Sequence, residues 1–100
     1  MDMEATVMEL IINAGESRSL AMQALQAARK GVWQDVDRLM QDAADAAKRA
    51  HDVQTMHEGC GKVPVNLILV HAQDHIMTSM LARELIAELI EVQRQLQHRN

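Results

Sequence analysis

The sequence almost lacks aromatic residues: Trp33 is the only one among 100 residues, and Phe and Tyr are absent. Strands are usually rich in aromatic and β-branched residues, and no such run occurs here. The bulk of any core must therefore come from Leu, Ile, Val, Ala and the eight methionines. Such a composition suits helices, so we expect a single all-α domain that spans residues 1–100.

Cysteine, long apolar runs and excess positive charge are also scarce. With one cysteine, Cys60, the chain cannot form an intrachain disulfide, and this suits a reducing cytoplasm. No apolar run approaches the ~20 residues of a membrane span, and no signal-peptide pattern is present. The net charge of −4 is mixed along the chain, whereas nucleic acids and anionic membranes require a basic face. We expect a cytoplasmic protein without a nucleic-acid partner.

Two breaks marked by glycine, at Gly31 and at residues 58–62, divide the chain into three helical patterns. Gly31 is a natural residue to follow the end of a helix, and Pro64 fits the first turn of one. Residues 58–62 form the one plausible loop. Short connections between long helices make neighbours antiparallel, so the sequence predicts an up-down-up antiparallel three-helix bundle. The predicted helices span about residues 3–30, 33–57 and 65–97.

The first helix carries a stripe of small residues that would let another helix approach closely. Gly15 lies in the middle of this pattern, where glycine costs up to ~1 kcal/mol relative to alanine. We expect close packing against a neighbour to explain it. The small stripe consists of Ala14, Ser17, Ala21, Ala24 and Ala28.

The third helix has more apolar surface than a three-helix bundle can bury. A helix in such a bundle needs an apolar stripe of only about 100° or somewhat more. The surplus predicts a second apolar contact, most simply with copies of the same chain, and therefore a homo-oligomer. The apolar positions are Leu67, Ile68, Val70, Ile76, Met77, Leu81, Leu85, Ile86, Leu89, Ile90 and Val92.

Three ionisable residues interrupt this apolar surface within about one helical turn: His71, Asp74 and His75. Histidines on partly buried faces are often only hydrogen-bonded structure, but a cluster of this kind also suits two chemistries. The histidines could hold a transition metal with Asp74 as a third ligand. Alternatively, one neutral imidazole could be a nucleophile that accepts a phosphoryl group. The spacing does not choose between them.

The segment 65–86, VNLILVHAQDHIMTSMLARELI, closely resembles the lactose/cellobiose family of IIA proteins in the bacterial sugar phosphotransferase system. The run 10–21, LIINAGESRSLA, looks like the first helix of that family, and 50–55, AHDVQT, looks like the end of its second. The pattern His-Ala-Gln-Asp-His-x-Met-Thr is specific. Its form here is most similar to the cellobiose/N,N'-diacetylchitobiose branch.

The resemblance implies a homotrimer of three-helix bundles. In this family His71 would accept a phosphoryl group from the phosphocarrier HPr and pass it to a cysteine of the cognate IIB protein, for uptake of a β-linked disaccharide. The membrane IIC component would be only an indirect partner. Asp74 would lie on the threefold axis, where three copies share a divalent cation, expected to be magnesium. His75, Gln73 and Gln54 would support the phosphoryl site.

A second hypothesis comes from a different class. The chain could be a non-enzymatic helical oligomerisation or metal-binding module that uses His71, Asp74 and His75 without carrying phosphate. Phosphotransfer to His71 distinguishes this hypothesis from the first.

Overall fold

The computed structural model describes residues 3–58 and 67–98, with the side chains of Met3, Ile68 and residues 54–58 excepted. These ranges contain three helices and no strand: α1 (Met3–Lys30), α2 (Trp33–Glu58) and α3 (Leu67–Gln97). The all-α prediction is confirmed, and the bounds of α1 and the start of α2 agree with the sequence-based ones. Residues 59–66 lie outside the described ranges. They include Cys60, the predicted loop from Gly59 onward, and Pro64 with the predicted first turn of the third helix.

The turn between α1 and α2 is built around Gly31, which has a positive φ of 79°. Its N–H donates to the carbonyl of Ala28 (3.1 Å), and the N–H of Val32 donates to the carbonyl of Ala27 (2.9 Å). These two bonds are the Schellman pattern, which satisfies the last carbonyls of a helix and needs a residue that tolerates left-handed backbone. Gly31 therefore ends α1 as the sequence predicted.

The small stripe of α1 is fully buried, and it lets α2 approach closely. Ala21, Ala24 and Ala28 have no exposed surface. The hydroxyl of Ser17 donates directly to the backbone carbonyl of Ala43 in α2, at 2.8 Å. A side chain as short as serine reaches a carbonyl of the neighbouring helix only where the two backbones lie close together. The predicted close approach is thus confirmed for this stripe.

The expectation for Gly15 was wrong. A Cβ atom built on Gly15 would have no heavy atom of residues 3–58 or 67–98 within 4 Å, apart from its own helix backbone and chain neighbours. Successive side chains on a helix point about 100° apart, so Gly15 faces away from the buried stripe that contains Ala14. The space around Gly15 therefore does not require glycine.

The core has two clusters, and α1 contributes to both. In the first cluster, residues of all three helices meet: Ala21, Ala24, Ala28, Val36, Leu39, Ala43, Ile86 and Ile90. In the second, the beginning of α1 meets the beginning of α3, with Val7, Leu10 and Ala14 against Ala72 and Ile76. Half-buried Val53, near the end of α2, packs on this second cluster. The amino-terminal part of α3 is therefore seated between the start of α1 and the end of α2.

The single tryptophan, Trp33, contacts the end of α3, at the opposite end of the bundle from the second cluster. Trp33 donates its Nε1–H to Oε1 of Gln97 (2.7 Å), and Nε2 of Gln97 donates to the carbonyl of Ala28 (2.9 Å). The guanidinium of Arg94 lies 4.4 Å from the centre of the Trp33 ring, within cation–π range. These contacts connect the end of α3 to the α1–α2 turn. In the described part of the chain, no helix combines the length and hydropathy of a membrane span.

Candidate functional site

The apolar residues of α3, which the sequence analysis treated as one set, lie on two faces of the helix, one buried and one exposed. The buried face contains Ala72, Ile76, Ser79, Ile86 and Ile90. A second apolar row is more than half exposed, and we call it the exposed α3 stripe: Leu67, Val70, Met77, Leu81, Leu85, Leu89, Val92 and Leu96. Its members recur at spacings of three, four or seven residues, so they share one side of the helix. The predicted surplus of apolar surface on the third helix is confirmed.

Asp74 lies on the exposed α3 stripe, four residues after Val70 and three before Met77. At 100° per residue it falls near the centre line of that stripe, in register with Val92. The residue is exposed, and its carboxylate has no hydrogen bond or ion pair with any residue in the described ranges. Thr78 donates its hydroxyl to the backbone carbonyl of Asp74 at 2.8 Å, so it does not engage the carboxylate.

His71 and His75 contact each other directly. Their Nε2 atoms are 3.1 Å apart, and the rings are perpendicular, with an interplanar angle of 89° and centroids separated by 4.6 Å. One facing nitrogen must carry a proton and the other a lone pair for this distance to be a hydrogen bond. His71 is exposed and His75 is half-buried. The half-buried imidazole of His75 therefore orients the exposed imidazole of His71.

The first helix completes a groove beside His71. An open groove of about 850 Å³ is lined by Met8 and Ile11 of α1 and by Leu67, Val70, His71 and Asp74 of α3. Its surface is mostly apolar, with the imidazole and the carboxylate as the polar groups among these residues. Ile12, further along α1, is 61% exposed. The imidazole of His71 is thus exposed beside apolar surface from both α1 and α3.

The structure brings His71 and His75 together but leaves the carboxylate of Asp74 apart. Across residues 3–58 and 67–98, no three His, Cys, Asp or Glu side chains converge on a position that could hold a metal ion. A metal site made by His71, Asp74 and His75 of one chain does not fit this geometry. Gln73 is half-buried on the same turn, and the side chain of Gln54 lies outside the described residues.

The part of the site that the sequence analysis missed is the contribution of α1. Met8 and Ile11 line the groove, but their pattern alone indicates only an apolar helix face. A usable signal was present: Val7, Met8, Ile11 and Ile12 span about 140° of the helix circumference, more than the ~100° of a core-facing stripe. Which of them lie beside His71 depends on how α1 and α3 pack.

Comparison with known proteins gives one consistent result. Residues 5–94 match the family model described as "PTS system, Lactose/Cellobiose specific IIA subunit". The chain is 50% identical over 99 residues to the N,N'-diacetylchitobiose-specific EIIA component of Escherichia coli K12, covering 95% of this chain and 85% of that protein.

Solved structures agree with the family match. The crystal structure of the PTS cellobiose-specific enzyme IIA from Bacillus anthracis superposes with a TM-score of 0.91 at 37% identity, covering 100% of this chain and 96% of that one. A solution structure of the IIA(chitobiose)–HPr complex of Escherichia coli gives a TM-score of 0.84 at 48% identity, with coverage of 97% and 98%.

Proposed function

Because the chain belongs to the lactose/cellobiose-specific IIA family of the sugar phosphotransferase system, we propose that it carries a phosphoryl group on His71. His71 accepts this group from HPr and gives it to the cysteine of a cognate IIB protein, in the cytoplasm. The transported sugar is a β-linked disaccharide of the cellobiose or chitobiose type, and the IIC component takes part only indirectly. The observation that carries this proposal is the exposed His71 imidazole, oriented by His75 at the edge of an open groove.

The transfer needs little chemistry from the protein beyond the nucleophile. In the accepting step, a P–N bond forms at His71 as the bond between phosphorus and the donor breaks; in the donating step, a cysteine sulfur takes the place of His71 on phosphorus. Catalysis of in-line phosphoryl transfer consists mainly of positioning and of stabilising charge on the phosphoryl oxygens. An accessible imidazole on a rigid helix meets the first requirement.

His75 is the nearest supporting residue. Its Nε2 faces Nε2 of His71 at 3.1 Å, so it holds the ring of His71 in one orientation and determines which nitrogen keeps a lone pair. Gln73 and Gln54 carry amide donors suited to phosphoryl oxygens, and we include them as supporting residues.

The docking of HPr is supported by similarity to a solved complex. The IIA protein in the Escherichia coli IIA(chitobiose)–HPr complex is 48% identical to this chain and superposes over 97% of it. Beside His71, Met8 and Ile11 of α1 supply apolar surface that is not part of the exposed α3 stripe. A partner that seats on this surface of α1 would bring its phosphoryl group to the accessible imidazole.

Asp74 belongs to a different part of the proposal, the assembly of an up-down-up bundle into a homotrimer. The exposed α3 stripe supplies the apolar surface for contact between copies, and Asp74 lies on its centre line. Three carboxylates brought together on an axis would repel one another without a compensating charge. Carboxylate oxygens suit magnesium, and the unpaired Asp74 fits such a site. Three Asp74 residues would hold this cation, and it would supply the compensating positive charge.

A phosphotransfer assay tests the role of His71. After incubation with phosphoenolpyruvate, enzyme I and HPr, the wild-type protein should carry acid-labile, base-stable phosphate that is discharged by the cognate IIB. A His71→Ala protein of normal helix content should carry none. His98→Ala is the matched control, since His98 is exposed at the end of α3, far from the groove, and the variant should be labelled normally.

Undiminished labelling of His71→Ala would refute the assignment. Absence of phosphate from the wild-type protein, together with metal-dependent oligomerisation, would favour the non-enzymatic module instead.

A further inference from the structure

A small cavity lies within the bundle, on the side of α3 away from the exposed α3 stripe. Its volume is about 30 Å³, close to the ~30 Å³ that one water molecule occupies in the liquid and above the minimum needed to hold one. Small apolar residues form much of its wall, and two serines and one histidine are its polar residues. The lining is Ala14, Ser17, Ala47, Ala50, His51, Ile76, Ser79 and Met80.

Ser79 places a buried hydroxyl on the wall of this cavity. It is only 4% exposed, and its hydroxyl has no hydrogen-bond partner among the residues that the structure describes. A buried hydroxyl without a partner costs free energy, so such groups almost always bond to protein or to ordered water. Thr78, next in sequence, shows the contrast, because its hydroxyl is bonded to backbone carbonyls of its own helix.

Ser17 provides a second bonding position on the wall of the same cavity. Its hydroxyl donates to the carbonyl of Ala43, so its oxygen still has lone pairs available to accept. Ser79 can both donate and accept. A buried water typically makes two to four hydrogen bonds, and the two serine hydroxyls supply the first two of these.

We propose that this cavity is a binding site for one ordered water molecule, which bonds the Ser79 hydroxyl of α3 to the Ser17 hydroxyl of α1. Because Ser17 also bonds to Ala43 in α2, the water completes a polar link through all three helices. The link passes through the bundle one turn beyond His75 along α3. The water is a structural ligand, and this proposal does not depend on phosphate transfer.

The cavity lies next to a groove on the outside of the bundle. Ala47, His51 and Met80 line both the cavity and an outer groove of about 290 Å³, which also contains Lys48 and Arg83. Lys48 donates to Asp52 at 2.9 Å, and this hydrogen bond raises the pKa of Lys48. The cavity therefore lies beside a part of the surface that carries charged side chains.

The experiment compares two variants of the full chain, each with a single substitution: Ser79→Ala and Ser19→Ala. Both changes replace a helical serine with a better helix former. Ser19 is exposed on α1 and accepts one hydrogen bond of 3.3 Å from the side-chain amide of exposed Gln23, so its variant measures the propensity gain less one surface hydrogen bond. If a water bonds Ser79, the melting temperature of Ser79→Ala should lie about 2–8 °C below that of Ser19→Ala. Water-to-protein cross-peaks in NMR should reach the methyl groups of Ala47 and Ala50 in the wild-type protein.

Two results would overturn the proposal. A melting temperature of Ser79→Ala above that of Ser19→Ala would show that the hydroxyl had been buried without compensation. Absence of the cross-peaks in the wild-type protein would show directly that no long-lived water occupies the cavity.

Discussion

Replacing Asp74 with leucine tests whether apolar packing or the axial cation holds the proposed trimer together. Asp74 is exposed in the single chain, on the centre line of the exposed α3 stripe and within one turn of Val70 and Met77. A leucine there would extend the stripe without interruption. The change also removes the only carboxylate that we assign to the cation.

The magnitude follows from the burial of one leucine in each chain. Full burial of a leucine side chain contributes about 1.5–3 kcal/mol, so three copies contribute at most ~5–9 kcal/mol to trimer stability. Removal of the repulsion among three converging carboxylates would raise the stability of the trimer further, whereas loss of the cation would lower it. Replacing a buried charged cluster by apolar groups of similar size is often neutral or stabilising. We therefore expect Asp74→Leu to remain a trimer and to lose its response to chelator.

Sedimentation velocity over a dilution series, with and without EDTA, measures both quantities. The wild-type trimer should dissociate at higher concentration in EDTA, and the Asp74→Leu trimer should not respond. Asp45→Leu is the matched control, because Asp45 is exposed on α2 and a leucine there adds apolar surface outside the stripe. Dissociation of Asp74→Leu into folded monomers would refute the reasoning, since it would show that apolar packing is insufficient without the cation.

Two further predictions concern stability. Gly15→Ala should raise the free energy of unfolding by about 0.5–1 kcal/mol in urea titrations, because the new methyl group meets open space and alanine favours the helix; a loss of stability would mean that this face of α1 packs against another chain. Gln97→Ala should lower the free energy of unfolding by about 0.5–1.5 kcal/mol, because Trp33 and Ala28 lose their common hydrogen-bond partner. The fluorescence emission of Trp33 should also shift to the red. Unchanged emission and stability would show that this connection contributes nothing.

Local signals in the sequence were sufficient for the helices themselves. The carboxyl end of α1 was predictable because Gly31 can adopt the left-handed conformation that a Schellman turn requires. The buried face of α1 was predictable because its small residues recur at helical spacing. The family was also identifiable, since the pattern around His71 resembles the lactose/cellobiose-specific IIA family and residues 5–94 match the model of that family.

The arrangement of those residues was decided only by tertiary packing. Because α3 is apolar over more than half of its circumference, its periodicity alone could not indicate which side is buried. Packing of Ala72 and Ile76 against Val7 and Leu10 makes that choice. This packing leaves Asp74 on the exposed stripe and encloses Ser79, whereas the i,i+4 spacing within α3 already places His71 beside His75.

The same distinction explains the one wrong expectation and the least foreseeable contact. Gly15 suggested close packing, but its orientation relative to the neighbouring helices, which local sequence does not specify, leaves it facing open space. Trp33 and Gln97 are 64 positions apart, and no local pattern relates them. The sequence thus determined which residues are helical and to which family the chain belongs. Packing between helices determined which of them meet, because that depends on side chains distant in the chain.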